Sequence, residues 1–489
     1  MKYRIPQMGF ALVLLVLHGC TVGPDYHRPN AAAPAQWAET LSGGETNDAT
    51  SIAAWWNEFH DRELNALIGR AVQSNLDLKI AVSRVREARA QYREVSAEFW
   101  PSADVSGAYQ RQKQSQNQPI IGEFPLPANI PFENNVYQAG FDASWELDVF
   151  GGVRRAKESA QAEVAAAEFG RRGVLVTLIG EVARNYVDAR GYQQRLSIAR
   201  ENIAAQEEAL SITQDRFQHG LTSELDVQQA STLLSSTRAE IPALESLLQT
   251  SIHRLGVLLG QPPGALLTEL PTVAPIPNAP PEVPVGLPSQ LLLRRPDVQR
   301  AERQLAAANA QIGVAKADLF PKFSLTGAAG YQSISASDWF AGGSRFWSLG
   351  PTVQWNIFDA GRIRANVKVQ NARQEQALSS YEKTVLSAFE EVENALVAYA
   401  KEQVRRRELA DAVKSSRESL RLANQLYSNG LANFINVLDA ERSLYQAEDQ
   451  LVQSDRAVSA NLISLYKALG GGWETESKLA EAQEAGKKP

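Results

Sequence analysis

The chain has 489 residues, a formal net charge of -6 and a hydrophobic content of 44 %. That balance excludes general nucleic-acid binding, which needs a basic surface. Beyond the N-terminus no apolar run reaches about 18 residues, which excludes a chain that crosses a membrane as helices.

At the N-terminus, Lys2 and Arg4 precede an apolar run from Met8 to Leu17, and then comes LHGC. A basic start, a short apolar core and a small residue before the cut describe an export signal over 1–19. Cys20 is the one cysteine in the sequence, so no disulfide can form within the chain. It reads either as an incidental buried thiol or, because LHGC resembles a bacterial lipoprotein signal, as the residue that takes a lipid. Residues 20–60 form an N-terminal arm, extended over 31–53 where Ala, Gly and Thr dominate.

Two copies of one pattern follow, 61–260 and 291–470. At an offset of 210, RFQHGLTSELDVQQA (216–230) lies on LYSNGLANFINVLDA (426–440), and SWELDVFGG (144–152) lies on QWNIFDAGR (354–362). Further upstream the offset is 220: Asp77 meets Asp297, and Pro101 meets Pro321. Between the copies, residues 261–290 hold nine prolines, a density that no helix tolerates. This linker is extended, either a loose hinge or an ordered strap. The tail 471–489 is charged and reads as disordered.

In the first copy a helix over 61–98 leads to a strand hairpin over 102–148. Tyr137, Ala139, Phe141, Ala143, Trp145 and Leu147 share one parity; Gln138, Gly140, Asp142, Ser144, Glu146 and Asp148 share the other. Period-two alternation sends the two sets to opposite faces. The second copy repeats this over 322–358, where Phe323, Leu325, Trp347, Leu349, Val353 and Trp355 oppose Ser324, Thr326, Ser348 and Gln354. Strands of about ten residues span a bilayer when tilted. An ordinary soluble sheet with one buried face fits the alternation equally well; aromatics near the strand ends favour a barrel in a membrane. Four strands cannot close a barrel, and an open edge in hydrocarbon costs several kcal/mol for each unpaired group. The sheet is therefore shared between chains.

Each hairpin runs into a long helix, 152–218 and 362–428. Apolar residues recur every seven positions: Leu175, Val182, Ala189, Leu196, Ile203, Leu210, Phe217 in one copy; Val385, Val392, Tyr399, Val413, Leu420, Tyr427 in the other, broken at Arg406. Sustained heptads predict a coiled coil. Return helices follow at 222–259 and 432–469, with a kink expected at Pro242. Gly220 and Gly430 sit at the turns, where glycine suits a helix C-cap. A spectrin-like tether also explains such helices.

These residues together resemble the outer-membrane factor family, the TolC-like channels, and its lipoprotein branch most of all. The resemblance rests on LLLRRPDVQRAERQLAAANAQIGVAKADLFPKFSLTGAAG (291–330), YSNGLANFINVLDAERSLYQAEDQL (427–451) and LYKALGGGW (465–473), and it runs from Cys20 to Trp473. It implies an α+β fold: a homotrimeric 12-stranded transmembrane β-barrel, four strands per chain, continuous with an α-helical coiled-coil tunnel across the periplasm. It further implies a lipid-anchored protein of the outer membrane, palmitate on Cys20, and barrel–helix junctions at Trp145, Gly151, Trp355 and Gly361. The periplasmic aperture falls on Asp439, Arg442, Ile435 and Asn436. A periplasmic adaptor (membrane fusion) protein docks at the tips Gly220, Leu221, Gly430 and Leu431, and an inner-membrane RND-type transporter supplies the energy. Asp439 and Arg442 also suit an ordinary i,i+3 pair on a solvated helix face.

No catalytic constellation or phosphate loop occurs, and the five histidines (18, 27, 60, 219, 253) lack metal-ligand spacing. The expectation is no enzyme, no cofactor and no metal. The acids Asp104, Asp142, Glu146 and Asp148 on the polar parity suggest either cation preference or hydrogen bonding within the wall. The function that follows is the exit channel of a tripartite efflux pump. Type I protein secretion and a non-conducting tether are the alternatives; the lipid anchor and the Pro-rich linker favour efflux over secretion. Drugs, dyes, aromatics and metals are all compatible cargo, although two Met residues, both before position 20, argue against a soft-metal relay.

Overall fold

The computed structural model describes residues 21–30, 33–39, 45–46, 52–113, 115, 133–278 and 283–474. The signal 1–19, Cys20 and the tail from 475 onward lie outside the described residues. In chain order, a 3-10 turn Trp55–Phe59 precedes α1 (Arg62–Ser74) and α2 (Leu76–Ala97). Strands β1 (Ser102–Lys113) and β2 (Glu133–Leu147) lead into α3 (Gly152–Gln218) and α4 (Glu224–Leu258). The second copy comprises α5 (Pro288–Arg294), α6 (Pro296–Ala317), β3 (Lys322–Ser333), β4 (Arg345–Gln354), α7 (Arg362–Ser428) and α8 (Phe434–Ala468). The long helices end where the heptads and glycines predict.

Two expectations need correction. The helix anticipated over 61–98 is two helices, broken at Asn75, and the second copy breaks at the matching Arg295. Pro242 lies inside α4, which is helical on both sides of it. Trp355 lies just past the end of β4 rather than within it. After the stretch 31–53, Trp55, Trp56 and Phe59 are buried on the 3-10 turn.

The break at residue 75 has a cause that the repeat exposes. The Asn75 side chain caps α2 by accepting from Leu78 N at 2.9 Å, and its Nδ2 donates to Leu258 O, the last carbonyl of α4, at 2.9 Å. At the equivalent place Arg295 Nη1 donates to Ala468 O, the last carbonyl of α8, at 2.9 Å. Different side chains thus satisfy the same orphaned helix-end carbonyl.

The chain divides into two compact units, and each draws on both repeats. One holds Met1–Pro29, Arg86–Ala166 and Glu302–Ser380; the other holds Asn30–Val85, Ala167–Ala301 and Tyr381–Pro489. In the first unit the four strands form one antiparallel sheet in the order β1-β2-β3-β4. Its register aligns the apolar parity across every pair: Val105 faces Phe141, Trp145 faces Leu325, and Ala329 faces Trp347. Residues directly opposite in a ladder share a face, so the sheet has one continuous apolar side. That side is uncovered, with Phe141 66 % and Trp347 80 % exposed. Strands β1 and β4 are its open edges.

The second unit has a conventional core. Tyr186, Tyr381, Tyr399 and Tyr466 are fully buried, and Trp55 stacks on Tyr466 at 5.1 Å. The heptad residues Leu175, Val182, Ala189, Val385, Val392 and Tyr399 all lie in it. Arg406, the break in the heptad, is exposed and pairs with Asp455. The described part of the linker is an ordered strap. Leu270 O, Thr272 O and Pro277 O accept from Gln193, Arg190 and Ser459 at 2.7, 2.9 and 2.8 Å, and Ile276, Val283 and Val285 are buried.

Candidate functional site

At the end of α3, Gly220 adopts φ +70; its N–H bonds Phe217 O and the Leu221 N–H bonds Arg216 O at 2.8 Å. At the end of α7, Gly430 repeats this with φ +69, bonding Tyr427 O, and Leu431 N–H bonds Leu426 O at 2.9 Å. This pair of bonds with a left-handed residue is a Schellman cap. Among the described residues nothing would meet a Cβ at either glycine, so backbone conformation is what requires them. The tips leave large apolar side chains in the open, with Leu221 66 % and Leu431 75 % exposed.

Behind the tips the two hairpins are joined. Ala230, Phe434, Val437 and Leu438 are buried together, and the Arg216 guanidinium lies 4.8 Å from the centre of the Tyr427 ring. A groove of about 560 Å3 runs between α4 and α8. Ile435, Asp439 and Arg442 line it, as their spacing of four and three on one helix face dictates. Arg442 Nη2 bonds Asp439 Oδ1 at 3.0 Å, both side chains being more than half exposed. Within one chain that pair contributes a few tenths of a kcal/mol at most. Asn436 stands apart from this group, since it does not line the groove; its N–H bonds Asn433 O at 3.1 Å.

Two groups here escaped sequence reasoning. Tyr445 Oη donates to Glu240 across the groove, linking α8 to α4. Glu441, between Asp439 and Arg442, is mostly buried, and its Oε2 has no hydrogen-bond partner among the described residues. Burial pushes its carboxyl from 4.5 up to about 7. Its place four residues after the heptad position Val437 was the available signal, because i+4 returns to the same helix face.

At the junctions the repeat is equally close. Trp145 Nε1 donates to Phe99 O at 3.0 Å, and Trp355 Nε1 donates to Leu319 O at 3.1 Å. Both indoles thereby tie a strand end to the turn before the hairpin. Gly151 and Gly361 take φ +80 and +86, turning the chain into α3 and α7. The Asp148 carboxylate bonds Val153 N and Arg154 N at 3.1 and 2.9 Å, which accounts for it as a helix cap. Asp142 accepts from Ser106 at 3.0 Å, a bond within the wall.

The arm after residue 20 is pinned beside the first junction. Val22 N bonds Phe150 O at 3.0 Å, and Arg155 reaches Val22 O at 3.2 Å and Asp25 at 2.7 Å. Asn309 bonds Pro24 O at 3.0 Å, and Tyr26 bonds Glu302 at 2.6 Å.

A sequence family described as outer membrane efflux protein matches residues 67–261 and 287–471, one segment in each repeat. The chain belongs to this family. The solvent efflux pump outer membrane protein SrpC of Pseudomonas putida is 35 % identical over 481 residues, which cover 97 % of this chain and 99 % of that one. The cation efflux system protein CusC of Escherichia coli is 33 % identical over 470 residues, covering 94 % and 98 %. The solved structure of the outer-membrane channel OprN matches at a TM-score of 0.87 and 37 % identity, covering 93 % of this chain and all of that one. This outer membrane efflux protein is thus a channel subunit of the outer membrane that extends into the periplasm. The α+β fold class read from the sequence, four barrel strands per chain joined to a helical tunnel, is the one these channels share.

Proposed function

We propose that three copies of this chain close a 12-stranded barrel and form the passive exit duct of a tripartite efflux pump. The observation that carries the reading is the sheet of the first unit: four strands, two open edges and an uncovered apolar face. In hydrocarbon such edges must be paired, and pairing β4 of one copy with β1 of the next does so without a new element. The signal over 1–19 and acylation of Cys20 deliver and anchor the chain; the pinned arm keeps Val22 beside Phe150.

The tips Gly220–Leu221 and Gly430–Leu431 are where a periplasmic adaptor protein docks, their exposed leucines giving it an apolar foothold. An inner-membrane RND-type transporter supplies the energy. Ile435, Asn436, Asp439 and Arg442 form the periplasmic aperture. Around a threefold axis three Asp439 carboxylates repel one another, and each Arg442 at 3.0 Å offsets that repulsion. Efflux is favoured over protein secretion by the small-molecule cargo in the names of SrpC and CusC, a solvent and a cation.

Planar-bilayer recording of the purified trimer tests this. Wild type conducts weakly, and D439A/R442A conducts more per channel. Absence of conductance in both would return the tether reading; equal conductance would remove the two residues from the aperture.

A further inference from the structure

A cleft of about 400 Å3 opens beside the junction of the second copy, between the last turn of α6 and the first turns of α7. Val22, Leu319, Phe320 and Val367 give it an apolar lining, and Lys316, Arg364 and Lys368 stand around it. Among the described residues no acidic side chain lines it. Nearby Asp318 is already paired with Lys322 at 3.2 Å, and among the described residues Lys316, Arg364 and Lys368 make no ion pair. Arg364 and Lys368 are four apart on one helix and so share a face, while Lys316 comes from the neighbouring helix.

The cleft's level is fixed by Leu319, whose carbonyl accepts from the Trp355 indole. Trp355 continues the parity of Trp347, Leu349 and Val353, the apolar face of the sheet. Indole rings at strand ends mark the boundary of hydrocarbon and water. The cations therefore stand at headgroup height, and the apolar lining stands where acyl chains begin.

We propose that this cleft binds one anionic glycerophospholipid of the periplasm-facing leaflet. Lys316, Arg364 and Lys368 hold its phosphate, and Val22, Leu319, Phe320 and Val367 receive the first acyl methylenes. The competing occupant is the chain's own acylated terminus, since Val22 follows Cys20 by two residues. A diacylglyceryl thioether carries no phosphate and would leave three cations unpaired, so charge complementarity selects the free phospholipid. Each cation near such a surface is worth about 1 kcal/mol, or roughly fivefold in affinity.

Native mass spectrometry of the full-length trimer, titrated with dioleoylphosphatidylglycerol or dioleoylphosphatidylcholine, tests the assignment. Wild type should retain the glycerol lipid at concentrations roughly tenfold lower than the choline lipid. K316S/R364S/K368S should lose that preference while keeping trimer mass and helical circular dichroism. Should the triple variant fail to assemble, the exposed single changes R364S and K368S should each weaken retention by roughly fivefold. C20S should retain phosphatidylglycerol as wild type does. Four results would overturn the proposal: equal retention of the two lipids by wild type; unchanged preference in the charge variants; displacement of the lipid by millimolar inorganic phosphate, which marks a free-anion site; or increased retention in C20S, which marks the anchor as occupant.

Discussion

Replacing Glu441 by Gln should stabilise the second helical hairpin at neutral pH and flatten its pH dependence. In the folded hairpin the carboxyl titrates near 7 instead of 4.5, and burial is the whole of the cause. At about 1.4 kcal/mol for each tenfold in proton affinity, keeping the ionised group buried costs about 3 kcal/mol. The sign follows from the raised value. Below about pH 4.5 the carboxyl is protonated folded or open, and stability is at its fullest; as pH climbs through 7 the open state ionises more readily and stability is lost. Between pH 5 and pH 7.5 the loss amounts to about 2.4 kcal/mol, roughly sixtyfold in the opening constant. Hydrogen-exchange protection of peptides spanning 430–445, corrected for intrinsic exchange, reads this directly. Wild type should lose protection across that window while E441Q, with nearly the same volume and no charge, holds level. Parallel curves for the two proteins would refute the reasoning, because they would mean that Glu441 is ionised and solvated in the folded hairpin.

Arg295 is buried and bonds Ala468 O, Asp297 and Glu391 together, so R295A should cost about 3 kcal/mol in thermal unfolding by leaving a carbonyl and two acids without their cation. Burial disfavours the Asp297 carboxylate, but Arg295 outweighs it and holds the group below the ordinary range. Its contribution is therefore present at neutral pH and disappears as pH falls below about 4; the R295A stability curve should be flatter there. G361A, where only positive φ is at stake, should cost about 1 kcal/mol. G151A should cost more, because its Cβ would lie 2.8 Å from Thr21, and it should expose residues 21–29 to protease where G361A does not.

How far the sequence announced this structure differs by element. Period-two alternation located all four strands, and the ladder register then kept the large apolar set of Val105, Phe141, Trp145, Leu325, Trp347 and Val353 on one side, because a slip of one would have turned the whole set over. Heptads and glycines located the four long helices for the same reason: both are rules of local geometry. Asn75 and Arg295 were not legible as breaks. Their role depends on carbonyls at Leu258 and Ala468, more than 170 residues away, and no local pattern carries that distance. The aperture residues were legible only through resemblance, since a pair three apart on an exposed face looks the same whether or not an axis passes beside it. Glu441 was passed over because a glutamate among charged neighbours reads as solvated until burial is known.

The two hairpins have nearly the same backbone but are held unequally at their tips. In the first, Ser223 and Asp226 form a capping box at the start of α4, and Thr222 adds a further bond to Asp226. In the second, Asn433 makes no side-chain capping bond among the described residues. A cap of that kind contributes about 1 kcal/mol. Glu441 subtracts more at neutral pH, by the burial already described. Both differences weaken the same helix, and that helix carries Ile435, Asp439 and Arg442. Local opening follows the lowest free energy available, so the return helix of the second hairpin opens before that of the first. Asn433→Ser supplies the missing cap and alters nothing else at the tip. N433S should therefore raise protection at 434–438 toward that of 224–228, and no change there would mean that the cap is not what separates the two hairpins.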